Sequence, residues 1–359
     1  MNCRQRFLAT LHNGKPDRIP ILANLTVQVA EKLAPLLQEE IGNVDSFLAT
    51  RISHRDILCR LGNDAVIVAA TRGNPTITLE NGNLRDEWGL EYQQFGLYSE
   101  AVKRPLANCN SRADLDQYPF PDPNAPQRWE DAARAIRKYG TEYGIVGDLE
   151  ACLFELSWNL VGMEKFLIDL CSEEEYVTAL LDRVLDYSRV CGRKMIAMGV
   201  DLIWAGDDFG TQTGMMIAPG LWRSVFLPRI QAMFSEFKRL NPHLKIAYHS
   251  CGAIAPIIPG LIEAGLDFLN PIQPLAAGMD LHSLYREYAG RLGFFGGVDV
   301  QGVLPHGTVE EVRREVRRCI DAVEHSGRFI IAPAHNIQPD TPVENVFAFF
   351  EEVKSYGIL

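Results

Sequence analysis

Short runs of β-branched and aromatic residues recur along the chain, separated by longer segments whose apolar positions return every three to four residues. That alternation of period two and period 3.6 is the pattern of parallel βα units, in which each strand is buried and each helix turns one face to water. The runs are RIPIL (18–22), DAVIVA (64–69), YGIVG (143–147), DLIWAG (201–206), LKIAYH (244–249), DFLNPI (267–272), LGFFGG (292–297) and RFIIAP (328–333). About eight strands is the number a closed (β/α)8 TIM barrel requires, so the expected fold class is α/β. The helices are plainest in the second half, at 219–240, 254–265, 308–327 and 342–357. Thr308 opens the third with a hydroxyl cap answered by Glu311, and Gly327 follows its other end. The VFAFFEEV run of the last helix is expected to face the core.

Three segments fall outside the repeat. Residues 3–13 predict an amino-terminal helical extension, 76–104 with its Asn81-Gly82 turn a hairpin insertion positioned to cover the barrel mouth, and 153–200 a long helical stretch. No linker or low-complexity tract divides the chain, so residues 1–359 are expected to form a single domain. The 359 residues are 47% hydrophobic, enough for a large core. A formal net charge of -11, with no Lys/Arg run, argues against a nucleic-acid partner and leaves a small-molecule substrate. The chain opening lacks a signal-peptide core and no apolar run is long enough to span a membrane, so a cytoplasmic location is expected. Eight cysteines without framework spacing are expected as reduced thiols, most of them core filler.

In a TIM barrel the chemistry lies at the carboxyl ends of the strands. The polar residues there are Asn24, Asp148 and Glu150, Asp207 and Asp208, His249 and Cys251, Asn270 and Gln273, Asp299 and Gln301, then His335 and Asn336. Any one of them could equally cap a helix or meet solvent; their coincidence across most strands carries the weight. His249 and Cys251 stand at i and i+2, on one side of an extended chain. Imidazole and thiolate are both zinc ligands, and a catalytic zinc needs three protein ligands with one open position, for which His335 is the best third candidate. The alternatives are a substrate-binding histidine or a packed thiol. Asp207 is an acid/base candidate because it ends an apolar strand where desolvation raises a carboxyl pKa. Asp208 suits a turn or N-cap as well as chemistry, and Asp64 precedes its strand, which points to the stability face.

The opening RQRFLATLHNGKPDRIPI resembles the amino-terminal signature of the uroporphyrinogen decarboxylase superfamily, and MGVDLIWAGDDFGTQTGMMIAPGLWRSVFLPRI is similar to its central strand, aspartate and helix. GGVDVQGVLPHGTVEEVRREV and FIIAPAHNIQPDTPVENV resemble its two closing motifs. The resemblance implies a TIM barrel. The decarboxylases of that superfamily carry an arginine-rich segment after the first strand that clamps a polycarboxylate; ILANLTVQVAEKLAP, at that place here, has no arginine. Its cobamide-dependent methyltransferases instead hold zinc by His-x-Cys at a strand end and a cysteine near the last strand. His249-Ser250-Cys251 matches the first part, while His335, within PAHN at 333–336, stands where the last cysteine would fall.

The resemblance therefore implies a zinc-dependent methyltransferase that moves a methyl group between a corrinoid and a thiol or similar small acceptor. His249, Cys251 and His335 would hold the metal, and Asp207 and Asp299 would position the acceptor or tune the metal shell. Asn24, Glu150, Asn270, Gln273, Gln301 and Asn336 would bind substrate. The corrinoid would arrive free or on a partner protein, since no Asp-x-His-x-x-Gly motif is present. Relatives are often homodimers, but no interface is legible in the sequence. Two other readings stay open: a metal-independent decarboxylase using Asp64 or Asp207, and a non-catalytic binding barrel.

Overall fold

Seven of the expected strands form in the computed structural model, which describes residues 1–44, 50–95 and 98–359. In chain order the strands are β1 (Ala65–Val68), β2 (Ile77–Thr78), β3 (Leu84–Arg85), β4 (Glu91–Phe95), β5 (Tyr98–Lys103), β6 (Gly144–Glu150), β7 (Leu202–Gly206), β8 (Lys245–His249), β9 (Phe268–Ile272), β10 (Gly293–Val298) and β11 (Phe329–Pro333). A seven-stranded sheet runs β1-β6-β7-β8-β9-β10-β11, every pair parallel. Helices connect its strands, giving the TIM-barrel architecture.

The eighth place is filled differently from expectation. The 18–22 run makes no regular strand; it is part of an extended segment that touches β11 through an isolated parallel bridge, Ile21 to Ile331. Pro20 has no N–H to contribute to a ladder. On the β11 side two backbone bonds remain, from the Leu22 N–H to the Ile331 carbonyl at 3.2 Å and from the Ile331 N–H to the Pro20 carbonyl at 3.0 Å. On the β1 side, side chains take part: the Ile21 N–H donates to Asp64 Oδ2 at 2.8 Å and the Ala23 N–H to Asn63 Oδ1 at 3.0 Å. The Asp64 N–H returns a bond to the Ile21 carbonyl at 2.8 Å, so the segment joins β11 to β1 and closes the ring.

Alternation sorts the strand residues. Ala65, Ile67, Val146, Leu202, Ala247 and Phe268 belong to an interior cluster, whereas Val66, Ile145, Ile203, Ile246 and Leu269 pack outward against the helices. The amino-terminal extension is the helix Cys3–Leu11, capped reciprocally by Asn2 and Gln5. Its Phe7 and Leu11 join the interior cluster and plug the end where the strands begin. Asp64 lies at that end, fully buried, 2.6 Å from Arg6 and 2.9 Å from Arg18.

The 153–200 stretch forms the helices Phe154–Val161, Met163–Cys171 and Glu175–Ala197. The helix expected over 219–240 divides into Pro219–Val225 and Leu227–Leu240, because Pro228 cannot donate back and is accommodated in the first turn of a new helix. The Thr308–Glu311 capping box forms, but its helix ends at Ala322; Glu324 and His325 turn the chain with φ of 52° before Gly327 is reached. The insertion is a four-stranded antiparallel sheet, β2-β3-β4-β5. The segment between β3 and β4 is tied to the barrel rim through Glu87, 2.5 Å from the guanidinium of Arg128. There Glu87 and Trp88 wall a small cavity together with Asp148 and Glu150. The insertion thus flanks the mouth beside β1 and β6, and none of its described residues lines the central cavity.

Candidate functional site

Period-two alternation decides which strand-end residues reach the barrel mouth. On β8, Ala247 points in, so His249 does too; on β9, Phe268 brings Asn270 in; on β6, Val146 is followed by Asp148 and Glu150. On β7 the inward position is Trp204, which sends Asp207 to the outer layer. A cavity of about 240 Å³ opens at this end, walled by Arg51, Glu150, Trp204, His249, Asn270 and Phe295, with Asn24, His335 and Asn336 contributing.

His249 is 4% exposed, and its Nδ1 lies 2.6 Å from Asn270 Oδ1. Asn270 Nδ2 donates to the Phe295 carbonyl at 3.2 Å, which orients the amide oxygen toward the ring. The imidazole therefore carries its proton on Nδ1 and presents the Nε2 lone pair to the cavity. Around Nε2 stand Cys251 Sγ at 3.3 Å and Asp208 Oδ1 at 3.4 Å. Donor atoms of Asp208, His249 and Cys251 all lie within 4.8 Å of one another, the one such group among the described residues. The Cys251 N–H donates to Asp208 Oδ1 at 2.7 Å, and the Gly252 N–H to Gln273 Oε1 at 2.7 Å, which fixes the turn after β8. Gly206 makes room for it: a Cβ there would sit 2.5 Å from that of His249.

Burial, then the Arg51 charge, pushes the His249 imidazole down to about 3, so it is neutral and a competent ligand. Burial and Asp208 push the Cys251 thiol well above its ordinary value. A neutral imidazole, a thiol whose proton a cation can displace, and a carboxylate form a nitrogen, sulfur and oxygen donor set that fits zinc.

Arg51 was not singled out from the sequence, because it follows none of the apolar strand runs; it lies in the short 3-10 helix Thr50–Ile52. Its guanidinium lies 3.3 Å from Asp148 Oδ1, bonds Glu150, and stacks 4.0 Å from the centroid of Trp204. Burial, aided by Asp148 and Asp208 against the Arg51 charge, pushes the Glu150 carboxyl up to about 8.

The other expected residues separate. His335 is exposed on the cavity rim and stands outside the 4.8 Å donor group. Asp207 is fully buried and accepts from the Leu153 and Glu155 N–H groups at 3.1 and 2.8 Å and from Tyr248 at 3.1 Å. Burial lifts its carboxyl to about 6, yet it does not line the cavity. Asp299 accepts the N–H groups of Gln301, Gly302 and Val303, starting the short helix Val303–His306, also away from the cavity. Gln301 meets Gln212 at 3.3 Å on the surface.

Residues 101–356 match the family uroporphyrinogen decarboxylase (URO-D). A methylated-thiol–coenzyme M methyltransferase of Methanosarcina mazei is 23% identical over 208 residues, covering 57% of this chain and 52% of that protein. A uroporphyrinogen decarboxylase of Trichormus variabilis is 26% identical over 191 residues, 52% of this chain and 50% of that one. The matched part thus spans about half the length of these relatives. A solved methyltransferase structure from Methanosarcina mazei superposes with a TM-score of 0.74 at 19% identity, covering 99% of both chains, and shows the shared fold. With the matched span, the barrel and the motifs in agreement, the chain belongs to the uroporphyrinogen decarboxylase (URO-D) family.

Proposed function

We propose that this protein is a zinc-dependent methyltransferase that passes a methyl group from a corrinoid substrate to a small thiol. One observation carries the proposal: Asp208, His249 and Cys251 gather their donor atoms within 4.8 Å at the mouth of the barrel. In this reading Asp208 takes the place expected of His335, and His335 faces the incoming substrates from the rim. When bound, zinc supplies a positive centre that favours the thiolate form of the acceptor. The thiolate sulfur forms a bond to the methyl carbon as the cobalt–carbon bond breaks, its electron pair staying on cobalt. Glu150, whose proton affinity is close to that of a thiol, receives the acceptor's proton at a carboxylate oxygen. Asn270 holds the His249 tautomer, and Arg51 keeps Asp148 and Glu150 in the wall.

A decarboxylase reading has less support. Asp64 lies at the opposite end of the barrel in ion pairs, Asp207 is enclosed, and the one arginine in the cavity wall is already paired with two carboxylates. No helix among the described residues is long and apolar enough to cross a membrane, and all eight cysteines are free, which suits a cytoplasmic enzyme served by a corrinoid protein or free cobamide. The test is spectroscopic: zinc-loaded protein, methylcobalamin and 2-mercaptoethanol should give demethylated corrinoid and the thioether. No demethylation by the loaded protein, together with CO2 release from uroporphyrinogen, would replace this reading with decarboxylation.

A further inference from the structure

The cavity wall is rich in acceptors and poor in available positive charge. Arg51 is the one lysine or arginine among the described lining residues. One arm of its guanidinium meets Asp148, another bonds Glu150, and its plane lies 4.0 Å from the Trp204 ring centroid. No fork remains for an anionic ligand. Behind the wall, the Asp208 N–H donates at 3.0 Å to Glu155 Oε2, a further carboxyl turned toward the same end of the barrel. Asn24 Oδ1 in the wall and Asp148 Oδ2 beside it are buried without a hydrogen-bond partner. Trp204 Nε1, a buried donor in the wall without a partner, is a neutral N–H.

A bound divalent cation does not reverse this balance. Its two charges are offset by the Asp208 carboxylate and the Cys251 thiolate, and the Arg51 guanidinium stays engaged by Asp148 and Glu150. An acceptor bearing a sulfonate, carboxylate or phosphate would bring another negative charge into this site with no free partner, at a cost that low-dielectric burial enlarges. An N–H or O–H group would meet acceptors that lack a donor. We infer that the methyl acceptor is a small thiol without an acidic group, uncharged or cationic, whose donors are read by Asn24 and Glu150. This rests on the methyl-transfer reading for the reaction, while the binding preference follows from the wall itself.

Three thiols of similar length separate the possibilities: 2-mercaptoethanol, cysteamine and 2-mercaptoethanesulfonate. Each is titrated calorimetrically into zinc-loaded protein without corrinoid, then offered with methylcobalamin for turnover. The neutral and cationic thiols should bind at least about tenfold more tightly than the sulfonate, with kcat/KM in the same order. Glu150→Gln, checked for folding by circular dichroism, should narrow the gap between cysteamine and the sulfonate above pH 8, where the wild-type carboxyl is ionised. Sulfonate binding equal to or tighter than the others, or binding of none of them, overturns the inference. Binding in the expected order without turnover of any thiol overturns the reaction and leaves the preference standing. Turnover favouring the sulfonate keeps the reaction and removes the preference.

Discussion

Asn270, almost fully buried in the cavity wall, sets which nitrogen of His249 is available. Asn270→Leu removes that lock and leaves the ring free to place its proton on Nε2. Zinc affinity of the folded protein, read by competition with a chromophoric chelator, should fall about 10- to 100-fold, beside a stability loss of about 1–3 kcal/mol from the unpaired Phe295 carbonyl. Glu150 gives a pH signature. Its folded pKa of about 8 stands above the ordinary glutamate value of 4.5, so the folded state binds the proton more tightly. Stability from this group is therefore greatest at low pH and is lost as pH rises from the unfolded value through about 8. Apo wild-type protein should lose urea stability relative to apo Glu150→Gln between pH 5 and pH 9; parallel curves would show that the carboxyl is not held in this way. His249 and Cys251 were legible from their spacing alone, because two residues apart on a strand means one face. Arg51 was not, since an arginine in a single 3-10 turn carries no periodic signal until the fold brings β6 beside it.

At the scale of elements, the strand pattern was legible and its interruptions were not. Seven runs became strands because β-branched and aromatic residues buried on both faces suit a parallel sheet. The 18–22 run is cut short at Pro20, where two backbone bonds with Ile331 and side-chain bonds from Asn63 and Asp64 stand in for a full ladder. Asp207 shows the same limit: it reads as a strand-end catalytic acid, but its odd place relative to Trp204 turns it outward, where it accepts the first N–H groups of the helix Phe154–Val161. Arg51 joins its loop to β6 and β7 through Asp148, Glu150 and Trp204. Arg51→Met strands the buried Asp148 and the half-buried Glu150, and its cost in chemical denaturation should be about 3–5 kcal/mol. Adding Glu150→Gln and Asp148→Asn should recover a large part of that loss, an outcome a purely steric role for Arg51 would not give.

For the whole molecule, the two ends of the barrel divide the labour. The end where strands begin is closed by Asp64, which gathers Arg6, Arg18 and the Ile21 N–H and so ties the leading helix and the bridging segment to β1. Asp64→Ala should lower stability by about 3–5 kcal/mol. Zinc affinity of the folded fraction should stay at the wild-type value; a parallel loss of zinc would mean the ends are coupled. The opposite end carries Asp208, His249 and Cys251. There the sequence alone offered His335 as the third ligand, and the proposal puts Asp208 in that place, because Asp208, one residue past the outward Asp207, folds back over the β8 turn in a way that distance along the chain cannot show. The measurement that bears most directly on this site is metal content, by elemental analysis, of wild type and Cys251→Ala after zinc loading and removal of loose ion. About one zinc per wild-type chain, absent from the variant, is the expected result. Wild-type protein that retains no zinc, or a variant that retains as much, would contradict the proposed metal centre.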